Sequence, residues 1–373
     1  MSELNYLEKL LDGTEVEWKA LGDVTSVLRG KRLTKNLLSA EEKFPVFHGG
    51  LEPLGYYNKS NRPANTVMII NVGASAGTVG YSTVDFWSSD GCFCLEHNEL
   101  LNNRFLYFAL IGYQSLLKSK VRVAGIPTLD AIVVNKLLIP IPCPENPEKS
   151  LAIQSEIVRI LDKFTALTAE LTAELTMRKK QYNYYRDQLL SFDEGEVEWR
   201  TLGEITRKIA SGRNKTRQAE GDFPVYGSTG LLGFTNEPAY SGDLLLVARV
   251  GAYAGLVNAV SGHFDVSDNT LIIHPSDSWN ARFAFHQLTH MNLNQYAVGA
   301  GQPLITGGML KNLKVPVPSL NEQTRIAKIL DKFETITVSI TEGLPREIEL
   351  RQKQYEYYRD LLFSFPKPEI ASY

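Results

Sequence analysis

The apolar residues of this chain follow two different periods in alternating stretches. Thr66–Val72 and Asp243–Val250 are almost continuous apolar runs, which is the pattern of strands buried on both faces. Asn102–Ser119 and Asn280–Leu293 have the spacing of short amphipathic helices. The pattern therefore predicts two mixed α/β globules, one in each half of the chain.

Behind each globule, apolar residues recur in alternating steps of three and four. The first stripe contains Ile153, Ile157, Ile160, Phe164, Leu167, Leu171, Leu175, Tyr182, Tyr185 and Leu189. The second contains Ile326, Ile329, Phe333, Ile336, Ile340, Leu344, Ile348, Tyr355, Tyr358 and Leu362. This spacing is the seam of a coiled coil. It predicts two helices of about 40 residues, each ~60 Å long at 1.5 Å per residue, that pack on each other as a spacer.

The ends and the middles of these helices carry their own signals. Proline-rich segments at 140–147 and 316–318 separate each helix from its globule, and Ser319 with Glu322 fits a capping box. Thr-Ala-Glu-Leu at 168–171 recurs directly at 172–175, and such four-residue steps locally unwind a left-handed supercoil. Gly343 and Pro345 predict a bend in the second helix.

Several short motifs occur twice, which indicates a duplicated domain with its connector. The repeated motifs are Glu-Val-Glu-Trp at 15–18 and 196–199, Phe-Pro-Val at 44–46 and 223–225, Ile-Leu-Asp-Lys-Phe at 160–164 and 329–333, and Tyr-Tyr-Arg-Asp at 184–187 and 357–360. The predicted organisation is a helical segment at 1–14, a globule at 15–147, a spacer at 148–192, a globule at 193–318, a spacer at 319–365 and a tail at 366–373. Whatever differs between the copies is expected to determine what each copy recognises.

Composition and charge narrow the class of protein. The 373 residues are 43% apolar and 22% charged, with three cysteines, and no apolar run is long enough to cross a membrane, so we expect a cytoplasmic protein.

The net charge is −3, but basic residues cluster twice without acids. One cluster is Arg29, Lys31, Arg32 and Lys35, and the other is Arg207, Lys208, Arg213, Lys215 and Arg217. A single run is usually a solvated face, whereas two at equivalent places favour a surface that meets phosphates.

Motifs of known catalytic sites are missing from the sequence. It contains neither the Asn/Asp-Pro-Pro-aromatic motif of amino-methyltransferases nor a Walker lysine loop, and the glycine turns 73–77 and 251–255 match no nucleotide-binding pattern. Cys92, Cys94 and His97 could suggest a metal site, but buried thiols are the simpler interpretation. His286 and His290 share a helix face without a third ligand. We therefore expect no catalytic residue and no metal in this chain.

The duplicated helices, the Lys-Gln-Tyr-x-Tyr-Tyr-Arg-Asp ends and the Thr-Ala-Glu-Leu tandem resemble the specificity subunit of type I restriction–modification systems, in particular its type IC group. The resemblance covers essentially the whole chain. It implies that each globule is a target-recognition domain for one half of a split, asymmetric double-stranded DNA site. It also implies that the helices set the gap and dock two methyltransferase subunits, through which restriction subunits join. The cofactors would then belong to the partners, with S-adenosylmethionine in the methyltransferase and ATP with Mg²⁺ in the restriction subunit, and none would be bound by this chain.

The family further implies a cyclic arrangement, and the sequence supports it. Leu10–Gly13 before the first Glu-Val-Glu-Trp parallels Leu189–Gly195 before the second, so the N-terminal segment resembles a continuation of the C-terminal helix. The expected fold is mixed α+β, with two globules joined by two long helices in an antiparallel coiled coil and near two-fold pseudosymmetry. An alternative is a coiled-coil scaffold that binds proteins only, which a DNA footprint would distinguish.

Candidate DNA contacts follow from the side-chain types near the basic clusters, because Arg can pair with guanine, Asn with adenine, and Lys or Thr with phosphate. In the first globule they are Arg29, Lys31, Arg32, Lys35, His48, Lys59, Asn61 and Arg62. In the second they are Arg213, Asn214, Lys215, Thr216, Arg217, Tyr226, Ser228 and Thr229. The candidate spacer and partner-docking residues are Leu167, Leu171, Leu175, Tyr182, Tyr185, Ile336, Ile340, Leu344, Tyr355 and Tyr358.

Overall fold

The computed structural model describes residues 4–193, 195–299 and 301–366. The chain forms two compact units. Unit 1 consists of the described parts of Met1–Glu170 and Glu349–Tyr373, and unit 2 consists of those of Leu171–Ile348. Each unit therefore contains one globule together with a segment from each of the two helical stretches.

The elements of the first half of the chain are α1 (Leu4–Leu11), β1 (Val16–Ala20), α2 (Leu21–Val24), β2 (Val27–Arg29), β3 (Phe44–Phe47), β4 (Gly55–Tyr57), β5 (Thr66–Ile70), β6 (Val79–Ser82), β7 (Trp87–Ser88), β8 (Cys92–Leu95), α3 (Asn103–Gly112), α4 (Gln114–Ser119), α5 (Ala131–Asn135), β9 (Leu138–Pro142) and α6 (Pro147–Leu190). Those of the second half are β10 (Glu198–Thr201), α7 (Leu202–Ile205), β11 (Thr206–Ser211), β12 (Phe223–Gly227), β13 (Gly230–Thr235), β14 (Tyr240–Ser241), β15 (Leu244–Ala248), β16 (Val257–Val260), β17 (His263–Val266), β18 (Thr270–Pro275), α8 (Ala281–His290), α9 (Gly307–Lys311), β19 (Lys314–Val317), α10 (Leu320–Thr337) and α11 (Gly343–Leu362). Short 3₁₀ helices lie at Lys35–Leu37 and Leu293–Tyr296.

The two globules have matching sheets, which confirms the duplication. Unit 1 has an antiparallel sheet of order β2-β8-β5-β6, a second sheet β4-β3-β7 and the pair β1-β9. Unit 2 has β11-β18-β15-β16, then β13-β12-β17-β14, and the pair β10-β19. In both units the second sheet combines an antiparallel pair, β3·β4 or β12·β13, with a parallel one, β3·β7 or β12·β17.

The predicted apolar strands lie in the middle of these sheets. Every residue of β5 and of β15 is buried, as expected for strands covered on both faces. Helices α3 and α8 begin at the caps Asn102 and Asn280, whose side chains accept hydrogen bonds from the next backbone N–H groups. The predicted strands and helix starts are confirmed. The stretch predicted over Asn102–Ser119 is divided at Tyr113 into α3 and α4, and the one over Asn280–Leu293 ends earlier, with α8 at His290.

Helix α6 confirms the first long helix, with 44 uninterrupted residues. Within unit 1 its first part is antiparallel to α11, because Phe164 stacks on Tyr358 at 5.2 Å between ring centroids while Ile157 and Leu161 share a core cluster with Leu362. Within unit 2 its last part is likewise antiparallel to α10, with Tyr185 stacked on Phe333 at 5.6 Å. The repeated Ile-Leu-Asp-Lys-Phe motif of each copy therefore packs against the Tyr-Tyr-Arg-Asp motif of the other.

The second helical stretch differs from the prediction of one bent helix. Helix α10 ends at Thr337 and α11 begins at Gly343, which has a φ of +81°. A Cβ on Gly343 would lie 2.2 Å from the carbonyl oxygen of Thr335, so only glycine fits this turn. Pro345 lies in the first turn of α11, where the missing N–H costs little, and Ile340 lies in the turn with 79% of its surface exposed. The apolar stripe is thus interrupted before the proline.

The N-terminal segment packs beside the last described residues of the C-terminal stretch, as the parallel between the copies predicted. Leu7 and Leu11 of α1 are buried in one cluster with Leu362 and Phe365. Trp18 donates its Nε1–H to the carbonyl oxygen of Pro366 at 2.7 Å. Helix α1 and the C-terminal end of α11 are therefore close together.

At the start of α10, Ser319 accepts a hydrogen bond from the N–H of Glu322, which confirms the cap. The Glu322 carboxylate hydrogen-bonds Arg325 at 2.5 and 2.8 Å, and these contacts lower its pKa. The capping box is therefore only half realised.

Candidate nucleic-acid interface

Several predicted residues of unit 1 converge on the segment Ser88–Asp90, which begins at the last residue of β7. Arg29 ends β2 and donates its Nε–H to the carbonyl oxygen of Asp90 at 3.1 Å. Arg62 donates from Nη2 to the carbonyl oxygen of Arg29 at 3.4 Å, and the N–H of Lys31 donates to the carbonyl oxygen of Ser88 at 2.9 Å. The structure thus joins three predicted cations on one side of the globule.

Asn61 and His48 contact the same segment. The Asn61 amide donates to the carbonyl oxygen of Ser88 at 3.0 Å and accepts from its N–H at 2.7 Å. The polar atoms of Asn61 therefore hold the Ser88 backbone in place in this conformation. The Nδ1 atom of His48 lies 3.4 Å from a carboxylate oxygen of Asp90 but is not oriented for a hydrogen bond.

The remaining candidates of unit 1 project outward. Arg32, Lys35 and Lys59 are exposed, and Lys35 begins a 3₁₀ helix. Among the described residues the side chains of these three cations form no hydrogen bond or ion pair. Unpaired exposed cations are suited to phosphate groups, which require charge more than fixed geometry.

In unit 2 the corresponding segment is Asp265–Asn269. The backbone N–H groups of Arg213 and Asn214 both donate to the carbonyl oxygen of Val266, at 3.0 and 2.9 Å. The Asn214 amide also donates to the Asp265 carboxylate at 2.6 Å, while the Ser228 hydroxyl donates to the carbonyl oxygen of Asn269 at 2.9 Å. The carbonyl oxygen of Tyr226 accepts from the N–H of Ser267 at 2.9 Å. Four of the predicted residues, Arg213, Asn214, Tyr226 and Ser228, therefore contact this segment.

Of the remaining candidates, Arg213 is attached to this segment through its backbone N–H. Lys215, Thr216 and Arg217 follow Asn214 in the chain and are exposed, and Thr229 follows Ser228. The side chains of the three cations have no hydrogen bond or ion pair within the part of the chain that the structure describes. Arg213, Lys215 and Arg217 thus provide three exposed charges next to Asn214 in the sequence.

The two clusters are built on the same backbone contacts. Gly30 and Gly212 occupy equivalent crossings, where a Cβ would lie 2.1 Å from the carbonyl oxygen of Ser89 or 2.2 Å from that of Ser267. The next residues, Lys31 and Arg213, make the same backbone hydrogen bond to the crossing segment. Glycine is therefore required in both copies, and it places a cation at the same point of each globule.

Arg249, near the end of the apolar run Asp243–Val250, also belongs to this region. The N–H of Arg249 donates to the carbonyl oxygen of Asn269 at 3.0 Å, the same oxygen that accepts from Ser228. Its counterpart in unit 1 is Asn71, whose N–H donates to the carbonyl oxygen of Gly91 at 3.1 Å. A charged residue at the end of an otherwise apolar run was the signal that could have identified it.

A second polar cluster lies inside unit 2, where His286 Nε2 is 2.7 Å from the Asp331 carboxylate. Ligand atoms of His286, Asp331 and Glu334 lie within 4.8 Å of one another, so this group has the composition of a metal site. Arg282, however, hydrogen-bonds both carboxylates, at 2.7 and 2.5 Å. The arrangement is therefore an ion-pair network that joins α8 to α10.

Burial and charge shift the pKa values in this network. Burial lowers the pKa of His286, and the hydrogen bond with Asp331 only partly offsets that effect. Burial would raise the pKa of Asp331, but hydrogen bonds from Arg282 and His286 outweigh it and lower the pKa. In unit 1, Arg104 pairs with Asp162 at 2.8 Å in the equivalent place.

Cys92 and Cys94 lie in an apolar cluster, as the simpler interpretation predicted. Both belong to β8 and are buried with Phe47 and Phe86. His97 is exposed and its Nε2 lies 2.9 Å from the Thr66 hydroxyl.

The predicted spacer tyrosines pack inside their own units. Tyr182 and Tyr185 contact Phe333, Tyr358 contacts Phe164, and Tyr355 lies 6.2 Å from Phe108, where burial raises its pKa to about 12. The neighbouring residues Tyr184 and Tyr357 are 62% and 52% exposed. Along the apolar stripes, Leu167 and Ile336 are also partly exposed. The helices thus present aromatic surface beyond what their mutual packing covers.

Similarity to known proteins agrees with this architecture. The family model described as type I restriction modification DNA specificity domain matches residues 14–177 and again 194–350. The duplicated globules and helices are thus those of a DNA specificity domain that occurs twice in one chain.

Relatives and solved structures of the same kind match over nearly the whole length. The specificity subunit of the type I restriction enzyme EcoR124I/EcoR124II from Escherichia coli is 41% identical over 100% of both chains, and that of EcoprrI, also from Escherichia coli, is 41% identical over 92% of this chain and 93% of its own. The crystal structure of the S subunit of a type I system from M. genitalium covers 96% of this chain and 98% of its own, with a TM-score of 0.70 at 21% identity. This chain therefore belongs to the specificity subunits of type I restriction–modification systems. Among the described residues, no helix is both long and apolar enough to cross a membrane.

Proposed function

We propose that this chain is the DNA-recognition subunit of a type I restriction–modification complex in the cytoplasm and has no catalytic site of its own. Each unit reads one half of a split, asymmetric site in double-stranded DNA. The observation that supports this most directly is the pair of equivalent clusters at Ser88–Asp90 and Asp265–Asn269. They share backbone contacts yet carry different side chains, as expected when one scaffold reads two sequences.

The helical stretches have a second role in this proposal. Helix α6 contributes to both units without interruption, so it fixes the gap between the half-sites as a rigid spacer. The Thr-Ala-Glu-Leu tandem supports membership of the type IC group within this proposal. Two methyltransferase subunits dock on the repeated helix ends, near the exposed Tyr184 and Tyr357, and restriction subunits join through them. S-adenosylmethionine is then bound by the methyltransferase, and ATP with Mg²⁺ by the restriction subunit.

The decisive experiment is to express this chain with its cognate methyltransferase and to map the methylated positions of the host genome. We expect one motif made of two short specified halves around an unspecified gap. A purified complex should also protect both halves in a footprint. Absence of any sequence-dependent methylation or protection, while the complex assembles, would favour the protein-binding scaffold.

The stoichiometry is a separate prediction. Because the docking motif occurs once in each copy, sedimentation of the chain with excess methyltransferase should give a final complex of two partner subunits per chain. A stable one-to-one complex as the end state would contradict the assignment of the helix ends as two equivalent docking sites.

A further inference from the structure

The side chain of Arg249 has a position unlike those of the exposed basic residues around it. Its backbone is fixed on both sides, because its N–H donates to the carbonyl oxygen of Asn269 at 3.0 Å and its own carbonyl oxygen accepts from the N–H of Ile305 at 2.8 Å. The adjacent bridge between Val250 and Leu304 extends this attachment. Arg249 is therefore held between the segment that carries the unit 2 candidates and the loop that contains Gln302.

Within the part of the chain that the structure describes, the guanidinium of Arg249 has no partner. The residue is half-buried, its Nε is buried without a hydrogen bond, and the guanidinium makes no ion pair among the described residues. Arg104 and Arg282, which are also partly buried, each bind an aspartate, at 2.8 and 2.7 Å. An unpaired charge with a buried nitrogen is unfavourable in the free protein, so a ligand that brings hydrogen-bond acceptors would be bound with a net gain.

The choice between a base and a phosphate follows from the geometry. Lys215 and Arg217 are exposed and unpaired, which suits contacts that tolerate many geometries. Arg249 begins from a fixed strand end and its half-buried stem restricts its rotamers. The planar fork of arginine, once fixed, matches the O6 and N7 acceptors of guanine in the major groove.

The comparison between the two units supports a role in specificity. Asn71 makes the same two backbone hydrogen bonds as Arg249, to Gly91 at 3.1 Å and from Leu129 at 2.9 Å. Its side chain is short and only 3% exposed, so it does not project as an arginine does. The scaffold is thus the same at this position while the side chain differs, which is the pattern expected of a residue that distinguishes the two half-sites.

We propose that Arg249 is a specificity-determining residue, whose guanidinium donates two hydrogen bonds to a guanine in the half-site read by unit 2. The proposal rests on the function proposed above. It predicts that this half-site contains a G·C pair whose recognition depends on one side chain.

The test uses the complete complex with methyltransferase and compares Arg249→Ala, Arg249→Lys and the wild type by mapping methylated sites. With Arg249→Ala we expect one specified G·C position in one half-site to become degenerate, with discrimination there reduced roughly 5- to 150-fold, and the other half-site unchanged. Arg249→Lys should also relax this position, because a point charge does not reproduce the bidentate contact. Arg200→Ala in the same unit is the matched control, since Arg200 is exposed, already paired with Glu198 and outside the basic cluster, and it should leave the motif unchanged.

The possible outcomes separate the proposals. An unchanged motif with Arg249→Ala would overturn the assignment, as would a uniform loss of binding that Arg249→Lys restores, because that result identifies a phosphate contact. If Arg249→Ala fails to assemble, the motif of Arg249→Lys decides by the same criterion. If the wild type itself yields no split motif, the proposed function fails independently of Arg249.

Discussion

Lengthening helix α6 by one Thr-Ala-Glu-Leu unit after Leu175 should lengthen the gap between the half-sites. The tandem at 168–175 lies within the 44 residues of α6, and the chain passes from unit 1 to unit 2 between Glu170 and Leu171. An insertion after Leu175 lengthens α6 close to this boundary and lies outside every strand of both globules. The inserted leucine continues the four-residue steps of Leu167, Leu171 and Leu175, so the helix should tolerate it.

The size of the effect is set by helix geometry. Four residues add ~6 Å at 1.5 Å each and rotate the remainder of the helix by ~40°, since one turn takes 3.6 residues. One base pair of B-DNA adds ~3.4 Å and ~34–36° of twist. The rotation corresponds to one base pair, whereas the rise exceeds it by a few ångströms that helix tilt or DNA bending must absorb. We therefore expect a gap longer by one base pair.

The measurement is the methylated motif of the insertion variant, compared with the wild type in the same host. Both half-sites should keep their sequences. The matched control inserts the same four residues into the exposed turn at Ser261 and Gly262, between β16 and β17, which should not change the gap. A gap that is the same in wild type and spacer variant would refute the role of the helices as a ruler.

Three further predictions concern single side chains. Lys215→Ala should weaken binding to all DNA sequences and reduce the slope of log affinity against log salt by about 0.9, and an unchanged slope in filter binding would assign this lysine to a solvated face. Phe333→Ala should lower the free energy of unfolding of unit 2 by about 2 kcal/mol in urea titrations, because it removes the stack with Tyr185, whereas Phe333→Leu should cost less. His286→Phe, which copies the equivalent Phe108, should make stability less dependent on pH between about 7 and 5.

The sign of the His286 effect is determined by its burial. Because burial lowers its pKa in the folded state, the unfolded chain takes up the proton first as pH falls. The stability from the neutral, buried imidazole is fully present above the unfolded pKa of about 6.5 and is lost as pH falls through the folded pKa. At pH 8 the phenylalanine variant should be less stable than the wild type by about 1–2 kcal/mol, since it loses the hydrogen bond to Asp331 and carries a larger ring. Equal pH profiles for the two proteins would contradict this account.

The sequence predicted those elements that local patterning determines. The apolar runs at β5 and β15 require burial on both faces, and the caps at Asn102 and Asn280 mark helix starts, so these elements lie where expected. The turn at 338–342 was not predicted, because the apolar spacing continues through it and the interruption depends on the backbone contact at Gly343. Arg249 was missed for a related reason, since its unpaired state depends on which residues surround it in three dimensions.

The pairing of repeated motifs explains how two copies can recognise different sequences on one scaffold. Phe164 stacks on Tyr358 and Phe333 stacks on Tyr185, so each unit is completed by a helix segment from the other copy. Both copies must therefore keep these motifs. The residues at equivalent positions of the clusters can differ, as Lys31 does from Arg213 and Asn71 from Arg249, because backbone atoms alone make the contacts that position them. Where the side chain is exposed, as at Lys31 and Arg213, substitutions alter the polar groups presented to a ligand at little cost in packing. Selection on the DNA sequence can thus act on one unit while the shared helical framework stays the same.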